Sequence, residues 1–193
     1  MAMTKRDKRG LLISLCIIAA VAYVFPMLVM AEPSEHNFKI KQDDWNYSYR
    51  NREGTWGTEI GRNVGPVNLT YRYAKLRNTR ENRIKLTHKL FAYEDLTVKH
   101  RIEYRSLETK TSHWRYRLIF QYTPHIYGPI HLYVKVQPRW AFINGRTVVD
   151  HRDQLGLTWK EDNWKFTPFV ERYALDGFDY KTTVYGTHFE YKL

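Results

Sequence analysis

The chain has 193 residues, with 31 Lys and Arg against 20 Asp and Glu, and a formal charge of +11. Charged residues at 26% and a mean hydropathy of −0.60 exclude a multi-helix membrane protein, and 43% hydrophobic content excludes a disordered tail. The length suits one domain with a real core and hardly two.

In chain order, residues 1–31 read as a secretory signal peptide. Lys5, Arg6, Lys8 and Arg9 form its positive start, Leu11 to Met30 its apolar stretch, and Val29-Met30-Ala31 its cleavage site. An uncleaved membrane anchor is the competing reading, opposed by Pro26 within the run and by the polar Glu32-Pro33-Ser34-Glu35 that follows. The single cysteine, Cys16, lies in this leader. Export makes nucleic acid an unexpected partner despite the basic charge.

Residues 32–193 read as one domain in which apolar side chains recur at every second position, the period of a strand. Weak strands near Trp45–Arg50 and Trp56–Arg62 come first. Then Val67, Leu69, Tyr71 and Tyr73 share a face, followed by Ile84, Leu86, His88 and Leu90, and by Leu96, Val98, His100, Ile102 and Tyr104. The clearest run is Trp114, Tyr116, Leu118, Phe120 and Tyr122. Ile130, Leu132, Val134 and Val136 follow, then Leu155, Leu157 and Trp159, and a less regular stretch around Trp164 to Val170, where Phe166 and Phe169 fall on opposite faces. Turns are expected at Asn63 to Pro66, Tyr93 to Asp95, Thr123 to Pro129 and Glu161 to Asn163. A second set is expected at Arg52 to Thr55, Arg77 to Glu81, Leu107 to Ser112, Ile143 to Asp150 and Leu175 to Asp179.

The pattern predicts an all-β, antiparallel up-and-down transmembrane β-barrel of about ten strands, twelve being possible. A secreted β-sandwich is the alternative. Against it stand the length of the strands, polar faces dominated by Arg and Lys, and aromatics at the ends of the apolar faces. Tyr71, Tyr73, Tyr104, Trp114, Tyr122, Trp140, Trp159 and Trp164 occupy the places of an interfacial girdle. Within lipid an open sheet edge is prohibitive, so the sheet must close. An even strand number would bring both termini to one side. Tyr185, Thr187, Phe189, Tyr191 and Leu193 alternate to the last residue, as in the closing strand of an outer-membrane barrel, although Leu193 stands where such strands usually carry Phe.

The opposite faces then line a lumen. They carry Arg72, Arg83, Lys85, Lys89, Lys99, Arg101, Arg105, Arg115, Arg117, Lys135 and Lys160. A three-residue loop Tyr93-Glu94-Asp95 would set Leu86 opposite Ile102, His88 opposite His100 and Lys85 opposite Glu103. It would also set Arg83 against Arg105 and Lys89 against Lys99, like charges that destabilise a ladder. Glu59, Glu103, Glu171 and Glu190 are too few to neutralise these bases, which favours an anion-attracting lumen over a plugged one.

Catalytic signals are sparse. Ser34, Ser48, Ser106 and Ser112 lack the neighbourhood of barrel lipases, and Asp150-His151-Arg152-Asp153 reads as a charged loop entering a strand near an outer rim. His88 and His100 offer two metal ligands without a third nearby. The chain is therefore read as a non-enzyme without cofactor or metal.

The leader, the small basic Tyr-rich meander, Tyr127-Gly128-Pro129 before a long strand, and Phe169-Val170-Glu171-Arg172-Tyr173 before a closing Phe189-Glu190-Tyr191-Lys192-Leu193 resemble the oligogalacturonate-specific, monomeric outer-membrane porins. The resemblance implies a monomer in the cell outer membrane whose lumen guides acidic oligosaccharides along tracks of basic side chains. It would place Arg115, Arg117, Lys135 and Arg139 in such a track. Members have twelve strands, from which this chain departs. The expected function is a channel for anionic solutes. A closed barrel with a structural or interaction role is the alternative, and a barrel hydrolase a more distant one.

Overall fold

The computed structural model describes residues 34–52, 55–175 and 180–193, and all its elements are strands. They are β1 (Ser34–Gln42), β2 (Trp45–Arg52), β3 (Thr55–Val64), β4 (Val67–Lys75), β5 (Arg80–Tyr93) and β6 (Leu96–Leu107). β7 (His113–Tyr122), the short β8 (His125–Tyr127), β9 (Ile130–Ile143), β10 (Arg146–Lys160), β11 (Trp164–Leu175) and β12 (Tyr180–Lys192) follow. The expected leader and residues 176–179 of the last expected turn lie outside the described residues.

Each long strand pairs antiparallel with the next, and β12 returns to β1, so eleven strands close a barrel, with β8 added along β9. The short β8 lies within the expected Thr123 to Pro129 turn, and the barrel strand that the alternation did not reveal is β1. Its outward face offers only Phe38 and Ile40 as apolar residues, beside His36. An odd count changes the closure. β1 and β12 run parallel, with Ser34 opposite Tyr185 and Lys41 opposite Lys192. The start of β1 and the end of β12 therefore lie at opposite rims, not at one rim as an even count would have it. The rim holding the β2–β3, β4–β5, β6–β7 and β9–β10 turns is called lower here, and the other upper.

Alternation sorts the faces as the sequence predicts. Phe38, Ile60, Ile84, Leu86 and Leu155 point outward, each more than a third exposed, whereas Arg72, Arg83, Lys85, Arg117 and Arg139 are buried within. Outward aromatics gather near both rims. Trp56 packs on Tyr73 and Tyr104 on Trp114 near the lower one, and Trp164 stacks on Phe189 near the upper.

The β5–β6 ladder holds every expected pair, including Arg83 with Arg105 and Lys89 with Lys99. The reason differs from the expected three-residue loop. The turn is only Glu94-Asp95, with Glu94 at φ 46°, and a bulge at Leu90 supplies the odd residue. The β9–β10 connection is likewise tighter than the expected Ile143 to Asp150 loop. Asn144 and Gly145 both have positive φ, 50° and 74°, the two-residue turn that this dipeptide favours. β10 therefore begins at Arg146, and Asp150 to Asp153 lie in the body of a strand instead of a rim loop.

The irregular stretch on β11 also has a cause. Phe169 points inward, 1% exposed, and stacks on His188 with ring centroids 4.3 Å apart. Its ladder partners on both sides are Gly156 and Gly186. A Cβ on Gly186 would lie 2.5 Å from the Phe169 ring, so the glycine makes room for the aromatic.

Candidate functional site: a cation-lined lumen

Among the described residues, inward side chains line three successive cavities along the barrel. The lower one, about 210 Å³, is walled by ten arginines and Lys85, with no carboxylate among its lining residues. The middle one, about 230 Å³, shares Arg50, Lys85, Arg101, Arg117 and Arg152 with it, so these five cations form the layer between the two. Asn37, Lys39, Lys135 and His188 separate the middle cavity from the upper one, about 540 Å³, where Lys41, Lys99, Lys160 and Lys165 join the wall.

Carboxylates are absent from the lining of the lower cavity, whereas Glu59 and Glu171 line the middle one and Glu94, Asp95 and Glu190 the upper one. Glu35, Glu81 and Glu103 are completely buried, and Glu171 is 1% exposed. Glu35 accepts Arg50 at 2.5 Å and Arg52 at 3.5 Å. Glu171 takes Arg52 at 2.9 Å, Arg152 at 3.5 Å and the Gln154 amide at 2.8 Å. Glu103 is shared by Arg117 at 3.1 Å, Arg83 at 3.3 Å and Arg101 at 3.6 Å. Glu59 binds Lys85 at 2.5 Å and Arg72 at 3.7 Å. Asp150 pairs with Arg139, and the Arg139 and Arg152 guanidiniums each lie 5.4 Å from the Tyr173 ring centre. Each acid anchors cations at the wall, while the longer cationic heads extend inward. The arrangement fixes guanidinium positions and leaves a positive surface toward the lumen.

Four lumen cations, Arg115, Lys99, Lys135 and Lys160, form no ion pair among the described residues. They are spread from the lower cavity to the upper one. In a low-dielectric tube such charges attract an anion more strongly than they would in bulk water.

Of the twelve cations expected from the sequence, Lys89 is exposed and lines none of the three cavities, Lys160 faces the upper one, and the other ten line the interior as well. Arg72, Arg83, Lys85, Arg101, Arg105, Arg115, Arg117 and Arg139 face the lower cavity, Lys135 the middle and upper ones, and Lys99 the upper. Sequence reading missed Arg50, Arg52, Arg152, Lys39, Lys41 and Lys165 among the cations, and Glu35, Glu81 and Asp150 among the acids. The alternation of Arg50 and Arg52 with outward Tyr47 and Tyr49 was the available signal for the first two.

The four residues Asp150-His151-Arg152-Asp153 are split by the pleat. Asp150 and Arg152 face the lumen, His151 and Asp153 the outside. His88 and His100 face outward as ladder partners, 3.2 Å apart between ring nitrogens, and no cluster of three metal-binding side chains forms among the described residues.

No family model, curated protein or solved structure matches this chain.

Proposed function

We propose that the chain is an outer-membrane channel whose basic lumen attracts and passes anionic solutes, acidic oligosaccharides being the class its resemblance implies. The observation that carries the reading is the lower cavity, which presents ten arginines and one lysine and no carboxylate. A closed wall, apolar outside and flanked by aromatics, supports insertion in a bilayer. The expected leader supports export across the inner membrane. Buried acids hold the arginine heads in place, and Arg115, Lys135, Lys99 and Lys160 add charge that no ion pair takes up. An anion is thus drawn from one mouth to the other along a graded series of cations.

The cavity sizes favour one competing reading. The lower and middle cavities fall below the roughly 300–1,000 Å³ that encloses drug-sized ligands. With the five-cation layer held as it is, the barrel would be a closed structural element. Passage of a sugar chain requires Arg50, Arg101 and Arg152, whose side chains are 20–25% exposed, to swing aside. Single-channel recording of the purified barrel in planar bilayers separates the two. Discrete anion-selective steps, interrupted by acidic oligosaccharides added on one side, are the expected result. A sealed bilayer containing folded barrel overturns the channel and leaves the closed element.

A further inference from the structure

Halfway along β3, β4, β5, β6 and β7 the outward side chains are Ile60, Tyr71, Leu86, Ile102 and Leu118. The same level on β10 and β11 is different. Asp153 is the central residue of the fifteen in β10, and its ladder partner on β11 is Arg172. Both face outward, because Gln154 and Glu171 beside them are bonded to each other inside the lumen. His151 stands two residues away, opposite Pro138 on one side and Ala174 on the other, and Thr183 on β12 is opposite Arg172. A barrel in a bilayer is penalised most for charge on its outer wall at mid-depth. Ionisable groups persist there where they serve a function.

We propose that this β10–β11 wall is where a second copy of the chain docks within the membrane, Asp153 of each copy against Arg172 of the other. The argument is one of charge and symmetry. The two opposite charges sit side by side on adjacent strands, differing by about 3 Å in depth at ordinary barrel tilt. A two-fold axis along the membrane normal, passing between them, sets each against its opposite in the second copy. A patch of one sign would call for a different partner, and a lipid headgroup lies at a rim, not at mid-wall. Asp153 and Arg172 are each already engaged within one copy. Docking sets the four charges of the two copies in an alternating ring from which lipid is excluded. Short side chains at Pro138 and Thr183 let the two walls approach, as small residues do between membrane helices. The inference rests on the barrel lying in a membrane, and it departs from the monomer that the family resemblance implies.

Cysteine cross-linking tests it, since the chain's one cysteine, Cys16, can be replaced by serine. The full chain carrying Val170→Cys, a ladder partner of Leu155 and Tyr185 beside the patch, is compared in oxidised cell membranes with Leu86→Cys on the opposite wall. At least tenfold more disulfide-linked dimer is expected from Val170→Cys. Adding Asp153→Arg or Arg172→Asp should cut that yield at least fivefold. Co-expressing the two, one of them size-tagged, should restore it as the mixed dimer. Equal yields at the two cysteine positions, or cross-linking of Val170→Cys only to some other protein, overturn the proposal without the charge variants. Folded barrels in the membrane fraction with no dimer sink the docking alone, whereas chain absent from that fraction sinks the membrane reading beneath it.

Discussion

Arg83 and Arg105 stand directly opposite each other across the β5–β6 ladder, and one carboxylate, that of Glu81, holds both. Two like charges that would repel are turned into a three-charge unit by a residue two positions from Arg83 on its own strand. Glu103 reinforces it from the neighbouring strand, 3.3 Å from the Arg83 guanidinium. The lumen is built from such units, and its energetics follow from which cations have an acid and which do not.

Removing that acid should therefore be costly. Glu81→Gln leaves buried guanidiniums short of a counter-charge and is expected to destabilise the barrel by about 3–5 kcal/mol. Glu108→Gln, which breaks an exposed 3.9 Å pair with Arg80, should change stability by less than about 1 kcal/mol. Urea unfolding in lipid vesicles, followed by tryptophan fluorescence, measures both. Equal effects would show that Glu81 does not hold the unit together.

Selectivity should depend on Arg115 more than on Arg117. Arg117 is tied to Glu103 at 3.1 Å and to Gln137 at 3.1 Å, whereas Arg115 has no ion pair among the described residues. In the proposed channel, Arg115→Gln is expected to weaken anion preference while the barrel still folds, and Arg117→Gln to act mainly on folding. Replacing both with Glu should move the reversal potential in a salt gradient toward cation selectivity. The shift should be largest below 0.1 M salt, where the screening length exceeds about 10 Å. Unchanged selectivity in a conducting double variant would remove both arginines from the ion path.

The Phe169 seat predicts a strict size limit. Gly186→Val would drive a side chain into the Phe169 ring and the Glu35 carbonyl, the latter 2.7 Å from even a Cβ. Loss of the compact, heat-modifiable band on gels is expected. The rigid backbone on the Glu35 side means that Phe169→Leu restores folding only in part. Full folding of Gly186→Val would show that β1 and β11 can move apart here.

Deletions in β5 give opposite expectations within a few residues. Removing Leu90 takes out the bulge and lets Lys89 and Phe91 follow Lys99 and Val98 in unbroken register. That variant should fold. Removing Thr87 leaves the bulge and turns one segment of the strand inside out. It should fail to reach the heat-modifiable state, and the reverse ranking would contradict the assigned ladder.

Much of this was legible in the residues. Regular alternation along Trp114 to Tyr122 and Leu96 to Tyr104 sets the facing of each cation, so the inward set could be written down without coordinates. The β5–β6 register followed from keeping like faces together, although the compensating residue was a bulge and not a longer loop. Three things were not legible. β1 was hidden because only two of its outward residues are apolar. Asp150 to Asp153 read as a loop because four polar residues in a row obscure a pleat that places two on each face. Glu35 was missed because its partner Arg50 lies fifteen positions away on the next strand, and Glu81 because its role appears only once Arg105 is set opposite Arg83.

The parallel seam between β1 and β12 has a kinetic meaning. Every other long pair in the wall closes over a short connection, so each can form soon after its second strand exists. The seam joins strands about 150 residues apart, and the loop entropy of that encounter is repaid only once the intervening strands are already rolled into a curved sheet. Assembly should thus proceed as a growing ribbon whose two free edges meet last. Because same-direction strands can slide past each other, something must stop them at the correct step. Glu190 on β12, bound to Lys41 at 2.7 Å, also reaches Lys39 at 3.9 Å and Lys165 of β11 at 3.6 Å. It sits inside the upper mouth as a latch that engages when the edges arrive in step.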